Sequence, residues 1–303
     1  TSIEAYLGRL SRKKVGFITR NDVAYPLILA KIPTAPFVLY IKSSAPFDFN
    51  ALNPTIAIVG TRKITSYGRE VTEQFTQGLV LGGCSIVSGL ALGVDAVAHA
   101  TTVENKGITI AVLGCGVDCC TPMENEGLYN RILASGGAII SEVPMGYLPT
   151  KGSFPSRNRI VAGLSRAVLV TEGAEDSGSL ITADLAFSYN RKVFAVPGAI
   201  TSLMSKGPYK LIEKGAKLVT KAEDILNYLH VQTITNGSSV ESIRFGSKEE
   251  EIVGKLLSHQ PLTFDQLVRE TGLSSSQIGS LLSMMEIKGI LRTNSDSTFS
   301  LIS

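Results

Sequence analysis

The sequence has no apolar run of about 18 residues, the length a helix needs to cross a bilayer, so no transmembrane helix is expected. Its first residues, Thr1-Ser2-Ile3-Glu4-Ala5-Tyr6, lack the basic-then-apolar layout of a secretory signal, and the chain reads as cytoplasmic. Metal ligands are scarce. Cys115, Cys119 and Cys120 crowd into one segment, but His99, His230 and His259 lie far from it in sequence. Structural thiols in a reducing compartment are therefore expected in place of a metal site. No G-x-x-x-x-G-K-S/T loop occurs, which excludes a P-loop ATPase. No H-E-x-x-H and no G-x-S-x-G occur either. Gly114-x-Gly116 lacks the third glycine of the dinucleotide fingerprint and has Cys119 there, which gives NAD binding little support.

Charge is also scarce where duplex-DNA binding would need it. The net charge is +3; residues 1–50 hold seven Lys/Arg against three acids, residues 51–228 sixteen against fifteen, and residues 244–303 six against seven. None of these is the strongly basic domain that marks duplex binding. Acids are missing from one stretch. Between Val143 and Thr171 there are none, while Lys151, Arg157, Arg159 and Arg166 lie inside. An electrostatic footprint for an anion can be that local.

What is present is a repeating alternation of strand and helix. Thr55-Ile56-Ala57-Ile58-Val59 is a continuous apolar run, as a strand buried on both faces should be. Helices are expected over Ser66–Leu81, Gly93–Asn105, Asn125–Ala134, Arg157–Gly163, Ser179–Tyr189 and Lys221–Leu229. Between them come strands at Ser85–Val87, Ile108–Leu113, Ala138–Ile140, Ala167–Val170, Val193–Val196 and Lys217–Val219. This pattern predicts an α/β fold: a Rossmann-like parallel sheet with helices on both faces, with its ligand outside the carboxyl ends of the strands. Residues 1–50 read as an N-terminal extension with one strand, Phe37–Ile41. Residues 51–228 form the Rossmann-like domain and 229–243 a linker, with its polar stretch at Gln232–Ser239. Residues 244–303 read as three helices followed by a hairpin around Asn294–Ser297, which is the pattern of a small winged-helix domain.

Four constellations could carry chemistry. Gly60-Thr61-Arg62 is either a phosphate-binding loop, with a close backbone approach, a hydroxyl and a bidentate guanidinium, or a plain strand-to-helix turn. Lys151-Gly152-Ser153-Phe154-Pro155-Ser156-Arg157-Asn158-Arg159 sets three cations around an aromatic ring. Single-strand binding needs that combination, since cations track the backbone and a ring stacks on bases. The competing reading buries Phe154 and pairs an arginine with Glu142 or Glu172. Ser177-Gly178-Ser179 opens a helix with small polar residues, which suits both oxyanion binding and ordinary capping. Asp95 and His99 stand one helical turn apart. With no nucleophile beside them, a structural hydrogen bond between the two is the better reading.

Several stretches, in order, carry a resemblance: Ile56–Arg62, Ser88-Gly89-Leu90-Ala91, Phe154–Ser165, Ser177–Ala183 and Val196-Pro197-Gly198. Over about residues 24 to 226 the chain resembles the DNA-processing protein A (DprA/Smf) family, and the Phe-Pro-x-Arg-Asn-Arg block is the most specific part of the match. The resemblance implies a non-enzymatic protein without cofactor that binds and protects incoming single-stranded DNA during natural transformation. It implies loading of the RecA recombinase onto that strand, and a homodimer joined through the Rossmann-like domain. Carried onto this sequence, the strand-binding pocket would use Arg62, Lys151, Phe154, Arg157, Asn158 and Arg159, with Thr61, Ser177, Gly178 and Ser179 nearby. Two departures stand out. Residues 1 to about 20 are at most a remnant of the longer helical region many members carry. The third helix of the C-terminal module, Ser274–Lys288, has only Glu286 and Lys288 as charges, so it is expected to contact protein or to add little DNA affinity. The alternative function is a nucleotide enzyme of the phosphoribohydrolase type, against which Thr182 stands where that family's catalytic Glu would be.

Overall fold

Alternate residues of one strand explain the layering of the main domain. Ala57 and Val59 join one buried cluster, and Ile56 and Ile58 join another on the opposite face. A period of two therefore feeds two cores at once, and the strand reads as uniformly apolar. The computed structural model describes residues 2–52, 54–150, 152–229, 247–257, 262–293 and 298–301. It divides into two units, Thr1–Thr233 and Ile234–Ser303.

The first unit opens with α1 (Ile3–Arg12), β1 (Val15–Thr19), α2 (Leu27–Ala30) and β2 (Val38–Ser43). The alternation follows: β3 (Thr55–Val59), α3 (Ser66–Leu81), β4 (Ser85–Ser88), α4 (Val94–Glu104), β5 (Thr109–Val112), α5 (Glu126–Ala134), β6 (Ala138–Ser141) and α6 (Ser153–Gly163). It continues with β7 (Ala167–Val170), α7 (Ser179–Ser188), β8 (Lys192–Ala195), α8 (Lys206–Glu213), β9 (Lys217–Leu218) and α9 (Glu223–Tyr228). Among the described residues these strands form one sheet in the order β1-β2-β6-β5-β4-β3-β7-β8-β9. From β6 to β9 every neighbour is parallel. The order reverses at β3, whose neighbours are β4 on one side and β7 on the other, so the topological switch point lies between β3 and β7. Helices α3, α4 and α9 cover one face through Phe75, Leu79, Ala98 and Leu226. Helices α6 and α7 cover the other through Ile160, Val161, Ala183 and Ala186. The expected Rossmann-like α/β class is the fold observed.

The division drawn at residue 50 does not mark a boundary in this structure. Strand β2 pairs antiparallel with β6, and β1 pairs antiparallel with β2, so the N-terminal residues extend the same sheet. Helix α1 is fastened to the same unit: Leu10 is buried, and the amide of Met145 donates to the Tyr6 hydroxyl at 2.9 Å. Strand β1 escapes a reading by pattern because Val-Gly-Phe-Ile-Thr is an edge strand, buried on one residue only.

In the second unit, α10 (Lys248–Leu257), α11 (Phe264–Thr271) and α12 (Ser275–Ile287) combine with β10 (Leu262–Thr263), β11 (Leu291–Thr293) and β12 (Thr298–Leu301). The sheet order is β10-β12-β11. Capping boxes start two of the helices, Thr263 with Gln266 and Ser274 with Gln277. Val253, Leu267, Ile278, Leu282 and Met285 form its separate core. Three helices and a hairpin match the expected winged-helix pattern. The expected polar stretch 232–239 and the hairpin turn 294–297 lie outside the described residues, as does all of the linker 229–243 except Leu229. No described helix is long and apolar enough to cross a membrane.

Gly93 shows how tightly the carboxyl ends of the sheet are joined. Its φ is 78°, and a Cβ there would collide with the Thr61 carbonyl and the Arg62 backbone. Gly93→Ala is expected to cost about 2 kcal/mol or more, from strain in the left-handed region plus that collision. A urea melt should show a lower midpoint with an unchanged slope.

Candidate nucleic-acid interface

At the switch point, β3 and β7 end side by side, and their loops are welded together. The Thr61 amide donates to the Glu172 carbonyl at 2.8 Å. A Cβ on Gly60 would press on that same carbonyl at 2.6 Å and on Val94, so glycine permits the approach. The Glu172 carboxylate, buried to 3% exposure, accepts from the Thr65 amide at 2.9 Å and the Thr65 hydroxyl at 2.6 Å. Its charge thus sits at the positive end of α3. The side chain occupies the space that a Cβ on Gly68 would need.

This arrangement bears on both readings of the Gly60-Thr61-Arg62 loop. That loop is not a helix N-terminus: α3 starts at Ser66, and its entry amides are served by Thr65 and Glu172. The Thr61 side chain is buried and accepts from the Lys63 amide at 3.1 Å, which shapes the loop. Glu172 was named in the sequence only as a possible arginine partner. It partners Thr65 instead.

Below the loop lie two buried charged side chains, Arg157 and Asp95. Arg157, on α6, is 5% exposed. Its Nη1 donates to the Gly89 carbonyl at 2.6 Å and to the Val112 carbonyl. Those carbonyls stand at the carboxyl ends of β4 and β5, so one guanidinium ties α6 to two strands. Asp95, at the start of α4, is buried too, with its Oδ2 accepting from the Gly89 amide at 3.0 Å and the Ala91 amide at 3.4 Å. Burial pushes the Asp95 carboxyl up, and the Arg157 charge and the loop amides pull it back down. Asn125 completes the cage, donating to the carbonyls of Leu90 at 2.9 Å and Ala91 at 3.2 Å. Leu90 is held at a φ of 55° in this clasp. Arg157 borders the cleft at its floor; its Nη1 serves the strand ends, while its Nε is buried without a hydrogen-bond partner among the described residues.

Two other expectations about pairs change. Asp95 does not bond to His99. Instead the His99 Nδ1 and the Thr109 hydroxyl are 2.6 Å apart, and burial pushes the imidazole pKa down to about 3. Arg159 pairs with Glu142 and is not among the residues that line the cleft. The sequence had raised that pairing as the competing reading. The cysteines are free thiols, with Cys84 and Cys115 buried, and burial pushes both up to about 12.

Above this floor opens a cleft of about 840 Å³, lined by Gly60, Thr61 and Arg62 from the β3 loop, Phe154, Arg157 and Asn158 from α6, and Ser177, Gly178 and Ser179 from the start of α7. Helix α6 begins at Ser153, four residues before the expected start, which places Phe154 and Pro155 in its first turn. The Phe154 ring is half-buried, and the Arg62 guanidinium sits 5.4 Å from its centroid. Arg62 is exposed and makes no ion pair among the described residues. Asn158 Nδ2 donates to the Gly178 carbonyl at 3.4 Å, a long bond joining α6 to the α7 loop. Helix α7 has Gly178 at its N-cap and no side-chain cap, so the capping role considered for Ser177 or Ser179 is nearly absent. Ser179 is buried, and its amide reaches the Ser177 hydroxyl only at 3.4 Å. The α7 entry thus brings a helix amino end without a side-chain cap, and the small polar residues Ser177, Gly178 and Ser179, to the wall of the cleft. Lys63 and Asp176 also line the cleft and escaped the sequence reading. A charge beside a named motif gives no sign of which way it faces. Lys151 lies outside the described residues.

The fold defines a doubly wound, Rossmann-like α/β protein with a cleft at its switch point, and the chain also carries a winged-helix module. The family described as DNA recombination-mediator protein A matches residues 16–230, and the DprA winged helix domain matches residues 243–296. The chain belongs to the DNA-processing protein A (DprA/Smf) family. It is 43% identical to the DNA processing protein DprA of Bacillus subtilis, over 71% of this chain and 71% of that protein. It is 36% identical to the Protein Smf of Synechocystis, over 94% of this chain and 80% of that one. Among solved structures, the X-ray structure of DprA from Streptococcus pneumoniae aligns with a TM-score of 0.67 at 40% identity, covering 73% of this chain and 77% of that chain. DNA processing protein A from Helicobacter pylori, whose structure concerns its single-stranded DNA binding mode, aligns with a TM-score of 0.64 at 30% identity, covering 73% and 97%.

The floor and the rim should respond differently to mutation. Arg157→Ala removes the donor from the Gly89 and Val112 carbonyls and should lose about 2 kcal/mol or more of stability. Adding Asp95→Asn should recover part of that loss, a coupling that a double-mutant cycle in urea measures. Arg62→Ala should leave stability within about 0.5 kcal/mol.

Proposed function

We propose that this chain binds single-stranded DNA in the switch-point cleft, with Arg62 and Phe154 as the principal contacts. One observation carries this reading: an exposed guanidinium with no ion pair among the described residues stands beside a half-buried aromatic ring, in a cleft also lined by the start of α7, which has no side-chain cap. The ring offers a stacking surface to a base, and the guanidinium and the α7 amides offer donors to the adjoining phosphates. Asn158, Thr61, Ser177, Gly178 and Ser179 shape the cleft, and Lys151, in the acid-free stretch, is assigned to the same path. Arg157 acts from beneath by fixing α6. Arg159 acts by anchoring that helix to Glu142, away from the strand.

Within the family role, the reading extends to protection of incoming DNA and loading of RecA recombinase during natural transformation, in the cytoplasm. The protein would work as a homodimer through the Rossmann-like domain, without cofactor and without catalysis. The carboxylates lining the cleft among the described residues, Asp95 and Asp176, do not favour a nucleotide hydrolase: Asp95 is engaged by loop amides, and Thr182 is buried on α7.

Anisotropy of a labelled oligothymidylate across a salt series tests the assignment. Arg62→Ala and Phe154→Ala should each weaken binding by roughly tenfold, as expected for a charged hydrogen bond or a stacked base worth about 1.5–3 kcal/mol. Arg62→Ala should also flatten the salt dependence, whereas Phe154→Ala should not. Losses below about twofold for both would sink the pocket assignment. Removing residues 240–303 should leave this affinity nearly intact.

A further inference from the structure

The opposite rim of the sheet, at the amino ends of the parallel strands, holds a second cleft of about 830 Å³. Its cations come from four places in the chain: Lys31 after α2, Arg166 just before β7, Arg191 in the α7–β8 turn, and Lys192 at the start of β8. Strand register brings two of them together, because Ala167 pairs with Lys192. Among the described residues no carboxylate lines this cleft.

A bland account exists for part of the cluster. Helix carboxyl ends gather at this rim, and cations are favoured there. Arg191 Nη2 does donate to the Ile28 carbonyl, at 3.0 Å. That account stops with Arg191. Its Nε is buried with no partner, and burial, together with the Arg166 charge, holds its pKa down. Neither Lys31 nor Lys192 makes an ion pair among the described residues. Lys192 Nζ instead stands 5.7 Å from the centroid of the Tyr228 ring, and Tyr228 is 47% exposed. Cations collected from separate elements repel one another, and an anion placed among them relieves that repulsion.

We infer that this amino-rim cleft is a second phosphate-binding site, formed by Lys31, Arg191 and Lys192, that takes the backbone of a nucleic-acid strand. The cation beside an exposed ring favours a strand over an acidic peptide, since only the former presents bases to stack. The inference does not require the switch-point cleft to bind DNA.

The test uses the full chain and the double variant Lys31→Gln/Lys192→Gln, in which both changes avoid the buried core and the first cleft. Inorganic pyrophosphate titrated into isotope-labelled protein should shift the amides of Asn190, Arg191 and Lys192, and the variant should abolish those shifts. The same variant, in a background carrying Arg62→Ala and Phe154→Ala, should weaken a 40-nucleotide oligothymidylate at least fivefold at low salt. Its salt dependence should become shallower by about 1.4, at roughly 0.7 per lost contact to a single strand. Loss of the pyrophosphate response with unchanged strand affinity would overturn the strand assignment and leave a small-phosphate site. No pyrophosphate response in the unmodified protein, or equal binding of polyglutamate, would overturn the site itself. If the Arg62 and Phe154 changes have no effect while the lysine changes do, the first cleft fails and this one stands.

Discussion

Arg157 reaches from α6 to the Gly89 and Val112 carbonyls, and the geometry of the switch-point rim follows from that reach. Two strand ends, one loop and one helix converge on a single guanidinium. Burying this cation is costly, and the Asp95 charge and the two carbonyls offset part of that cost. With α6 pinned, its first turn is fixed over the cleft, and Phe154 stands beside Arg62. An interaction that touches no ligand thereby sets where a ligand-facing ring must sit.

The same logic sorts the basic residues into two kinds. Arg157 and Arg159 are held by carbonyls and by Glu142 respectively, and hold α6 in place at both its neighbours. Arg62 and Lys63 project, exposed, from a loop whose backbone is fixed by Thr61, Gly60 and Glu172. A rigid mount for a free cation limits the entropy lost when the cation finds a phosphate. Net charge therefore says little about such a protein. What matters is which cations have been neutralised internally.

The two rims of the sheet differ for a reason built into parallel topology. Helix amino ends open toward the carboxyl rim, and α7 begins there without a side-chain cap bond from Gly178. The amino rim has helix carboxyl ends, so positive potential there has to come from side chains, and Lys31, Arg191 and Lys192 supply it. Backbone dipoles and lysine or arginine side chains are alternative sources of the same field.

The strand–helix alternation, the buried parallel strands and the C-terminal three-helix module were legible in the sequence, because uniformly apolar β-branched runs and capping residues are local signals. So was the block containing Phe154 and its cations. The edge strand β1 was not, since a strand buried at one residue leaves almost no periodic trace. Nor was the division of labour within Phe-Pro-x-Arg-Asn-Arg. Spacing places Arg157 and Arg159 near a ring, but only packing decides that one points under the sheet's rim and the other across to Glu142. Likewise Glu172 reads as a possible arginine partner until the chain brings the Thr65 amide, 107 residues away, to meet it. The sequence by itself determined the architecture, through hydrophobic pattern. Tertiary structure alone decided which charges are spent internally and which remain for a ligand, because the partners that neutralise a charge are set by contacts distant along the chain.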